Sequence, residues 1–273
     1  AEVLFETICF SVDPYLRVHG EVVGDSGIDG KKVMHGTQVV KVVLTRNGKF
    51  PLGSRFVTNF GWRSHVLIDP DQLPGTYGGV QPYPDLGNLP ESLAVGACGM
   101  PGNTAYFGFL RLCQPKAGET VVVNAAAGAV GSLVGQIAKI QGCNVIGYAG
   151  ADDKVKWLKE ELGFDHAFNY KTTDLATSLK QAAPKGIDCY FDNVGGNFSA
   201  VVMSQMNKYG RIALCGCISA YNTIDDLPMN LMVDFLQGKI KYRETIWEGV
   251  ENLPKAFMGL FRGENTGKAI VTA

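Results

Sequence analysis

The segment Val121–Gly131, VVVNAAAGAVG, sets a run of small residues between a short apolar stretch and a helical pattern. Small residues at such a point permit a tight turn and let the backbone approach a pyrophosphate. The helix that follows adds unpaired N–H groups and a dipole that favours negative charge. The spacing is A-x-G-x-x-G, with Ala126 in the place of the first glycine, so Gly128, Ala129, Val130 and Gly131 are candidate dinucleotide contacts. Such a fingerprint expects an acid about 20 residues on, at the end of the next strand, to accept from a ribose hydroxyl. Here that strand ends Tyr148-Ala149-Gly150-Ala151 without an acid, and Lys154 follows, able to meet a 2′-phosphate as a point charge. Asp152 and Asp153 are read as first-turn helix residues that complement the dipole. The pattern favours NADPH over NADH.

Other chemistries find less support. The four histidines, at 19, 35, 65 and 166, form no HxxxH or HExxH pair, and none neighbours a cysteine at ligand spacing. Cys215-x-Cys217 on a strand would turn both thiols to one face, but nothing nearby completes a tetrahedral set, so no metal is expected. There is no G-x-S-x-G elbow, and Ser132 falls inside the helix after the glycine-rich turn. Tyr170, Asn193 and Ser219 to Tyr221 lie at expected carboxyl ends of strands, where ligands bind in open α/β sheets. Asn193 could also cap the next helix or form an Asx-turn, and that role is compatible with a cofactor contact.

The elements that must position these residues alternate from residue 98 onward. Strands are expected at Thr120–Asn124, Asn144–Tyr148, His166–Tyr170, Asp188–Asn193 and Arg211–Gly216. Helices are expected between them at Ala129–Gln141, Asp152–Leu162, Asp174–Ala183 and Phe198–Lys208. This rhythm implies βαβ units and a doubly wound parallel sheet of the Rossmann kind. Residues 1–97 carry short β-like runs at Glu2–Val12, Val39–Thr45 and Ser54–Thr58, separated by Gly and Pro turns, and read as a β-rich domain. After Gly216 only Cys217–Asn230 precedes the helical-looking Leu231–Gln237, too short for a crossover helix and a sixth parallel strand. The expectation is that the sequence omits an internal segment near 221–230 and, since it begins at Ala1, an N-terminal one.

The 273 residues, 46% of them hydrophobic, suffice for two domains. A net charge of −1, from 25 basic against 26 acidic residues, offers no reason to expect nucleic acid or an anionic membrane as partner. No apolar run reaches 18 residues, so no membrane span is expected. The seven cysteines are odd in number and contain no CxxC pair, which points to free thiols in a reducing, cytoplasmic compartment.

Taken together, six segments resemble the zinc-independent medium-chain dehydrogenase/reductases. They are Val12-Asp13-Pro14-Tyr15-Leu16-Arg17, GMPGNTAY at Gly99–Tyr106, the loop at Ala125–Gly131, Phe168-Asn169-Tyr170-Lys171, YFDNVGG at Tyr190–Gly196, and GENTGKAIV at Gly263–Val271. The resemblance implies a GroES-like β-barrel catalytic domain, 1–97 with 236–273, beside a Rossmann NADP-binding domain, 98–235. It implies pyrophosphate contacts at Gly128 to Gly131 and a 2′-phosphate flanked by Lys154 and Tyr170. The rest of the cofactor path would be lined by Asn193, by Cys215, Gly216, Cys217, Ile218, Ser219, Ala220 and Tyr221, and by Asn265. Met100 and Thr104 would lie near the nicotinamide. The ligand cysteine and Gly-His-Glu motif of zinc-dependent cousins are absent. Some thirty residues that follow the S-x-Y-N segment in the family, and carry an active-site tyrosine, are also absent, so no catalytic side chain is assigned.

The implied reaction is NADPH-dependent reduction of the carbon–carbon double bond of an α,β-unsaturated ketone or aldehyde. Expected substrates are 15-oxo-prostaglandins, oxidised leukotrienes and lipid-derived alkenals, with leukotriene 12-hydroxy dehydrogenation as a related activity. The protein must orient the nicotinamide and stabilise the developing enolate. Tyr15 is the substrate-pocket candidate, with simple packing after Pro14 as the alternative. Rival readings are a quinone reductase, a non-catalytic NADPH-binding protein and a methyltransferase; either a monomer or a homodimer is compatible.

Overall fold

β-Branched and aromatic residues alternating along Val3–Phe10 send Val3 and Phe5 into a core and leave Glu6 exposed. This strand, β1, belongs to the first sheet of the computed structural model, which describes residues 1–16, 33, 34, 36–73, 79–221, 244–262, 264 and 268–272. The other strands are β2 (Gln38–Thr45), β3 (Arg55–Thr58), β4 (His65–Ile68) and β5 (Gln81–Pro82), antiparallel in the order β4-β1-β2-β3-β5. Phe5 anchors the core, with edge-on contacts to Phe50 and Phe56 at ring-centroid distances of 6.0 and 6.3 Å. The strands expected at Glu2–Val12, Val39–Thr45 and Ser54–Thr58 are all present; the first and third are shorter by one or two residues at their ends, and the second gains Gln38.

The second sheet is parallel and built from β6 (Thr120–Val123), β7 (Asn144–Ala149), β8 (His166–Asn169), β9 (Ile187–Asp192) and β10 (Met206–Leu214). Its order, β10-β9-β6-β7-β8, reverses direction at β6, so a topological switch point opens between the carboxyl ends of β6 and β9. The helices are α1 (Met100–Phe107), α2 (Gly131–Ile140), α3 (Asp152–Glu160), α4 (Leu175–Ala182) and α5 (Gly196–Met203); α1 runs on into a π-helical turn, Gly108–Cys113. β6, TVVV, shows no alternation because both faces are covered. Val121 and Val123 join Phe109, Val134 and Leu158, while Val122 joins Tyr148, Leu179 and Tyr190. Asp152 and Asp153 occupy the first turn of α3, as expected.

One boundary differs. The helix expected over Phe198–Lys208 ends at Met203, and Met206–Lys208 already belong to β10. Tertiary pairing overrides the helical pattern there: the Ile187 N–H donates to Gln205 O at 3.2 Å and the Asn207 amide to Asp188 Oδ1 at 2.8 Å. The strand then bulges, with Tyr209 at a φ of +67°.

The Cα packing divides the chain into Ala1–Asp226 and Leu227–Ala273. In the second unit β11 (Glu244–Glu248) and β12 (Lys268–Thr272) pair in parallel, with α6 (Leu253–Arg262) between them in sequence. Asn265, the helical run at Leu231–Gln237 and the segment 222–230 lie outside the described residues. Among the described residues no helix is long and apolar enough to cross a membrane.

Arg211 on β10 clamps the edge of the parallel sheet. Its Nη1 donates to Glu119 Oε1 at 2.9 Å, and its Nε and Nη2 reach the carbonyls of Cys113 and Gln114, at the end of the π-helical turn. The bidentate pair holds the Glu119 carboxyl below its usual range despite partial desolvation. A carboxylate depressed in the folded state contributes stability that is fully present above its unfolded pKa of about 4.3, and loses it as pH falls through the folded value. Glu119→Gln is expected to lower unfolding free energy at neutral pH by about 1–3 kcal/mol, and the gap to the parent should close as pH drops below about 4. Denaturant titrations across pH measure both effects.

Candidate functional site

At the switch point β6 delivers Asn124, 1% exposed, and the chain turns at Ala125 with a φ of +44°. The Ala126 N–H donates to Tyr148 O on β7 at 2.9 Å, and the Gly128 N–H folds back to Ala125 O at 2.9 Å. Gly131, the first residue of α2, allows no side chain, since a Cβ there would run into the Ala125 carbonyl and the Ala126 Cα. Gly135 and Gly147 are likewise closed to side chains, by the ring of Phe164 wedged between helix and sheet. Gly128 and Ala129 are exposed at the mouth of the turn. Among the described residues the N–H groups of Ala129, Val130 and Gly131 meet no acceptor. These bare donors at a helix N-terminus, brought close by Gly131, fit a pyrophosphate.

The far end of this groove lies at Gly150, beyond β7. A Cβ on Gly150 would sit 3.1 Å from the Tyr170 hydroxyl and 3.4 Å from Lys171 Cε. Asp152, the nearest acid, accepts from Asn169 Nδ2 at 2.7 Å. Lys154 is exposed on the first turn of α3 and forms no ion pair among the described residues. Tyr170 and Lys171 thus converge on a glycine one turn from Lys154, an arrangement suited to a phosphate. Sequence reasoning assigned Lys154 and Tyr170 and left Lys171 unassigned; its place directly after a strand-end tyrosine was the available signal.

A buried polar network sits beneath the switch point. Asp192, 1% exposed, accepts from Asn124 Nδ2 at 2.8 Å, from the Val194 and Gly195 N–H groups at 3.0 and 2.8 Å, and from Ser199 Oγ at 2.5 Å. Ser199 spends its proton on Asp192, so in the 2.9 Å contact Tyr190 donates to Ser199; Asn124 Nδ2 in turn donates to Tyr190 at 2.6 Å. Burial, followed by the Asp192 charge, pushes the Tyr190 phenol far up. Asn124 Oδ1 accepts from the Asn193 N–H at 2.7 Å, and Asn193 Nδ2 donates to Asn124 O at 3.0 Å. Asn124 therefore holds Asn193 through both the main-chain N–H and one of the two Nδ2 hydrogens, which leaves Oδ1 and the second Nδ2 hydrogen to face a ligand. The Asx-turn expected of Asn193 belongs instead to Asp192, and the cap of α5 is Gly195. Asn124, Asp192 and Ser199 were missed as site-building residues, although a polar residue ending each of two apolar strands was visible in the sequence.

The segment after β10 closes on the same turn. The Cys215 and Gly216 N–H groups donate to Asp192 O at 2.8 and 3.0 Å, Ile218 N–H to Asn193 O at 3.2 Å, and Ser219 Oγ to Val194 O at 2.6 Å. Ile218–Ala220 form a 3₁₀ turn, and the Tyr221 hydroxyl lies 3.1 Å from where a Gly216 Cβ would be. Cys215 and Cys217 come just after the strand, and desolvation followed by the Asp192 charge pushes Cys215 up to about 11 and Cys217 upward.

Met100 and Thr104 lie one helical turn apart on α1, with Thr104 Oγ1 directed to Met100 Sδ at 3.5 Å. Both line a cleft of about 460 Å³ between the antiparallel sheet and the start of α1, together with Thr37, Thr58, Asn59 and Cys98. Tyr15 is not a lining residue; it is half-buried and hydrogen-bonded to Thr37, which is. Burial, then Asp13, pushes its phenol up, so it stays protonated at neutral pH. Among the described residues no group of three or more His, Cys, Asp or Glu could hold a metal ion.

Sheet, loop and switch-point network define an α/β dinucleotide-binding protein. Residues 129–261 match the family model described as zinc-binding dehydrogenase, and residues 1–75 the N-terminal domain of oxidoreductase. The chain is 46% identical over 301 aligned positions to prostaglandin reductase 1 of Oryctolagus cuniculus, covering 98% of this chain and 83% of that protein. It is 39% identical to the NADP(+)-dependent 2-alkenal reductase of Nicotiana tabacum, over 99% of this chain and 87% of that one. Among solved structures, CurA of Vibrio vulnificus in complex with NADPH superposes with a TM-score of 0.71 at 36% identity, covering 100% of this chain and 90% of that one. The chain belongs to the zinc-independent medium-chain dehydrogenase/reductases.

Asn124→Ala removes the side-chain acceptor of the Asn193 N–H, keeps the main-chain acceptor of Asn193 Nδ2, and leaves Asp192 and Tyr190 each short of a donor. It is expected to cost about 2–4 kcal/mol of stability and to weaken NADPH binding about tenfold. Thermal unfolding and a titration of NADPH fluorescence test the two parts.

Proposed function

We propose that this protein uses NADPH to reduce the carbon–carbon double bond of α,β-unsaturated ketones and aldehydes. The observation that carries the reading is 46% identity to a prostaglandin reductase along 98% of the chain. The likeness to a 2-alkenal reductase and the fold match to an NADPH complex support the same chemistry and cofactor. The N–H groups of Ala129, Val130 and Gly131 would hold the pyrophosphate, and Lys154, Tyr170 and Lys171 the 2′-phosphate. Asn193 Oδ1 would accept from a donor on the cofactor, and Cys215 through Tyr221 would line its path. Asn265 enters the cofactor set through the family resemblance.

When bound, NADPH supplies the hydride that adds to the β-carbon of the substrate. The chain's share is orientation and charge stabilisation. Met100 and Thr104 would fix the reacting edge in the cleft, excluding bulk water from one side. Negative charge then develops on the carbonyl oxygen, and hydroxyl donors in the cleft would stabilise it. Tyr15, kept protonated and linked to the cleft through Thr37, is the tyrosine best placed to support such a donor; the α-carbon takes its proton from solvent. The substrates would be 15-oxo-prostaglandins, oxidised leukotrienes and lipid-derived alkenals.

The division into a GroES-like catalytic domain (1–97 and 236–273) and a Rossmann domain (98–235) is part of this proposal, as are a monomeric or dimeric state and a reducing cytoplasmic setting. Free thiols at all seven cysteines support the last point. An alignment of 301 positions against a chain of 273 residues supports an internal segment present in the relatives and lacking here.

Purified protein mixed with 15-oxo-prostaglandin E or 4-hydroxynonenal is expected to oxidise NADPH; no oxidation with either would overturn the reading. Lys154→Ala and Lys171→Ala are each expected to weaken NADPH binding about tenfold and to leave NADH binding unchanged. Isothermal titration with both cofactors reads the difference.

A further inference from the structure

Cys98 immediately precedes the Gly99-Met100-Pro101 turn into α1; its thiol is exposed, and it lines the 460 Å³ cleft with Met100, Thr104 and Thr58. Thr58, at the end of β3, is 2% exposed, and its hydroxyl has no hydrogen-bond partner among the described residues. A buried hydroxyl without a partner is unfavourable, and a bound acceptor removes that cost. The cleft therefore holds a nucleophile and an unspent donor in one lining, and carbonyl compounds with a conjugated double bond answer to both.

We propose that Cys98 captures enones covalently: its thiol adds to the β-carbon of an α,β-unsaturated carbonyl compound whose oxygen accepts from the Thr58 hydroxyl. The inference rests on the enone-reductase reading above. In the addition a sulfur–carbon bond forms as the carbon–carbon π bond breaks. The electron pair moves to the carbonyl oxygen, and the thiol proton passes through solvent to the α-carbon, so no oxidant or reductant is consumed. The product is a saturated thioether inside the cleft. Reduction of the same double bond by NADPH destroys the electrophile, so capture competes with turnover and dominates when NADPH runs short.

The other thiols are poorer targets. Cys113, Cys143 and Cys189 are buried, Cys9 and Cys217 are half-buried with raised pKa, and the exposed Cys215 is pushed up to about 11. Thr58 faces Gln38 across β2 and β3, and Gln38 Oε1 is also unpaired among the described residues while its Nε2 donates to Thr7 Oγ1 at 2.9 Å. A water bridging Thr58 and Gln38 is the competing account of both orphan atoms.

The test incubates the full chain with 4-hydroxynonenal in the absence of NADPH and maps adducts by mass spectrometry over time. Cys98 is expected to be modified first, and added NADPH to slow its modification. Thr58→Val is expected to slow capture of 4-hydroxynonenal about fivefold while the rate of Cys98 with iodoacetamide stays unchanged. Equal or faster labelling of Cys215, or an unaltered enone rate in Thr58→Val, would overturn the proposal; the latter is what a bridging water predicts. NADPH oxidation measured on the same preparation separates the two readings. Turnover without a Cys98 adduct defeats capture alone, whereas a Cys98 adduct without turnover defeats the reductase reading alone.

Discussion

A carboxylate with almost no exposure must be surrounded by donors, and Asp192 is. Two backbone N–H groups, one amide and one hydroxyl converge on it, from three pieces of the groove: the end of β6, the turn after β9 and the first turns of α5. Its main-chain oxygen receives the chain leaving β10. One buried charge thus draws together the carboxyl ends of three strands at the place where the sheet order reverses. The same network fixes Asn193, whose N–H and one Nδ2 hydrogen are both committed to Asn124, so its amide has one orientation.

Around that anchor the groove is shaped by what is missing from side chains. Gly131 lets α2 start against the carbonyl of Ala125, and Gly135 with Gly147 admits Phe164 between helix and strand. Gly150 leaves room for Tyr170 and Lys171 where an acid would otherwise meet a ribose. Close packing and anion recognition have the same requirement here, since both need backbone within reach. Arg211 performs the corresponding task at the sheet edge, joining Glu119 to the last carbonyls of the π-helical turn with one planar fork.

The first four parallel strands were legible because each is a short apolar run with a helix pattern behind it, and their boundaries agree to within a residue; β10 starts at Met206 where Arg211 was expected. Met206–Lys208 was misread because its helical pattern is local, whereas Asn207 reaches Asp188 on a neighbouring strand. Asn193 was legible as a residue at a strand's carboxyl end, but its conformational role was not. Neighbouring Asp and Asn have the same turn preferences, and only the position of Asn124 across the sheet decides between them. Lys171 stood beside a residue already singled out and went unassigned, because nothing local says that its stem passes Gly150.

The order of residues along the chain therefore determined the α/β class, the dinucleotide loop, the lack of an acid after the second strand, and the absence of metal-ligand spacing. These follow from short-range rules of turn geometry, periodicity and charge, which act between residues a few positions apart. The tertiary structure decided which polar side chains spend their hydrogen bonds on one another and which remain free. Asn124 and Asp192 are 68 residues apart in sequence and 2.8 Å apart in space. The cleft that joins Thr58 to Cys98, Met100 and Thr104 likewise exists only where the antiparallel sheet meets the start of α1. The loop at Ala126–Gly131 announces a dinucleotide in the sequence; the free atoms around it exist only in the fold.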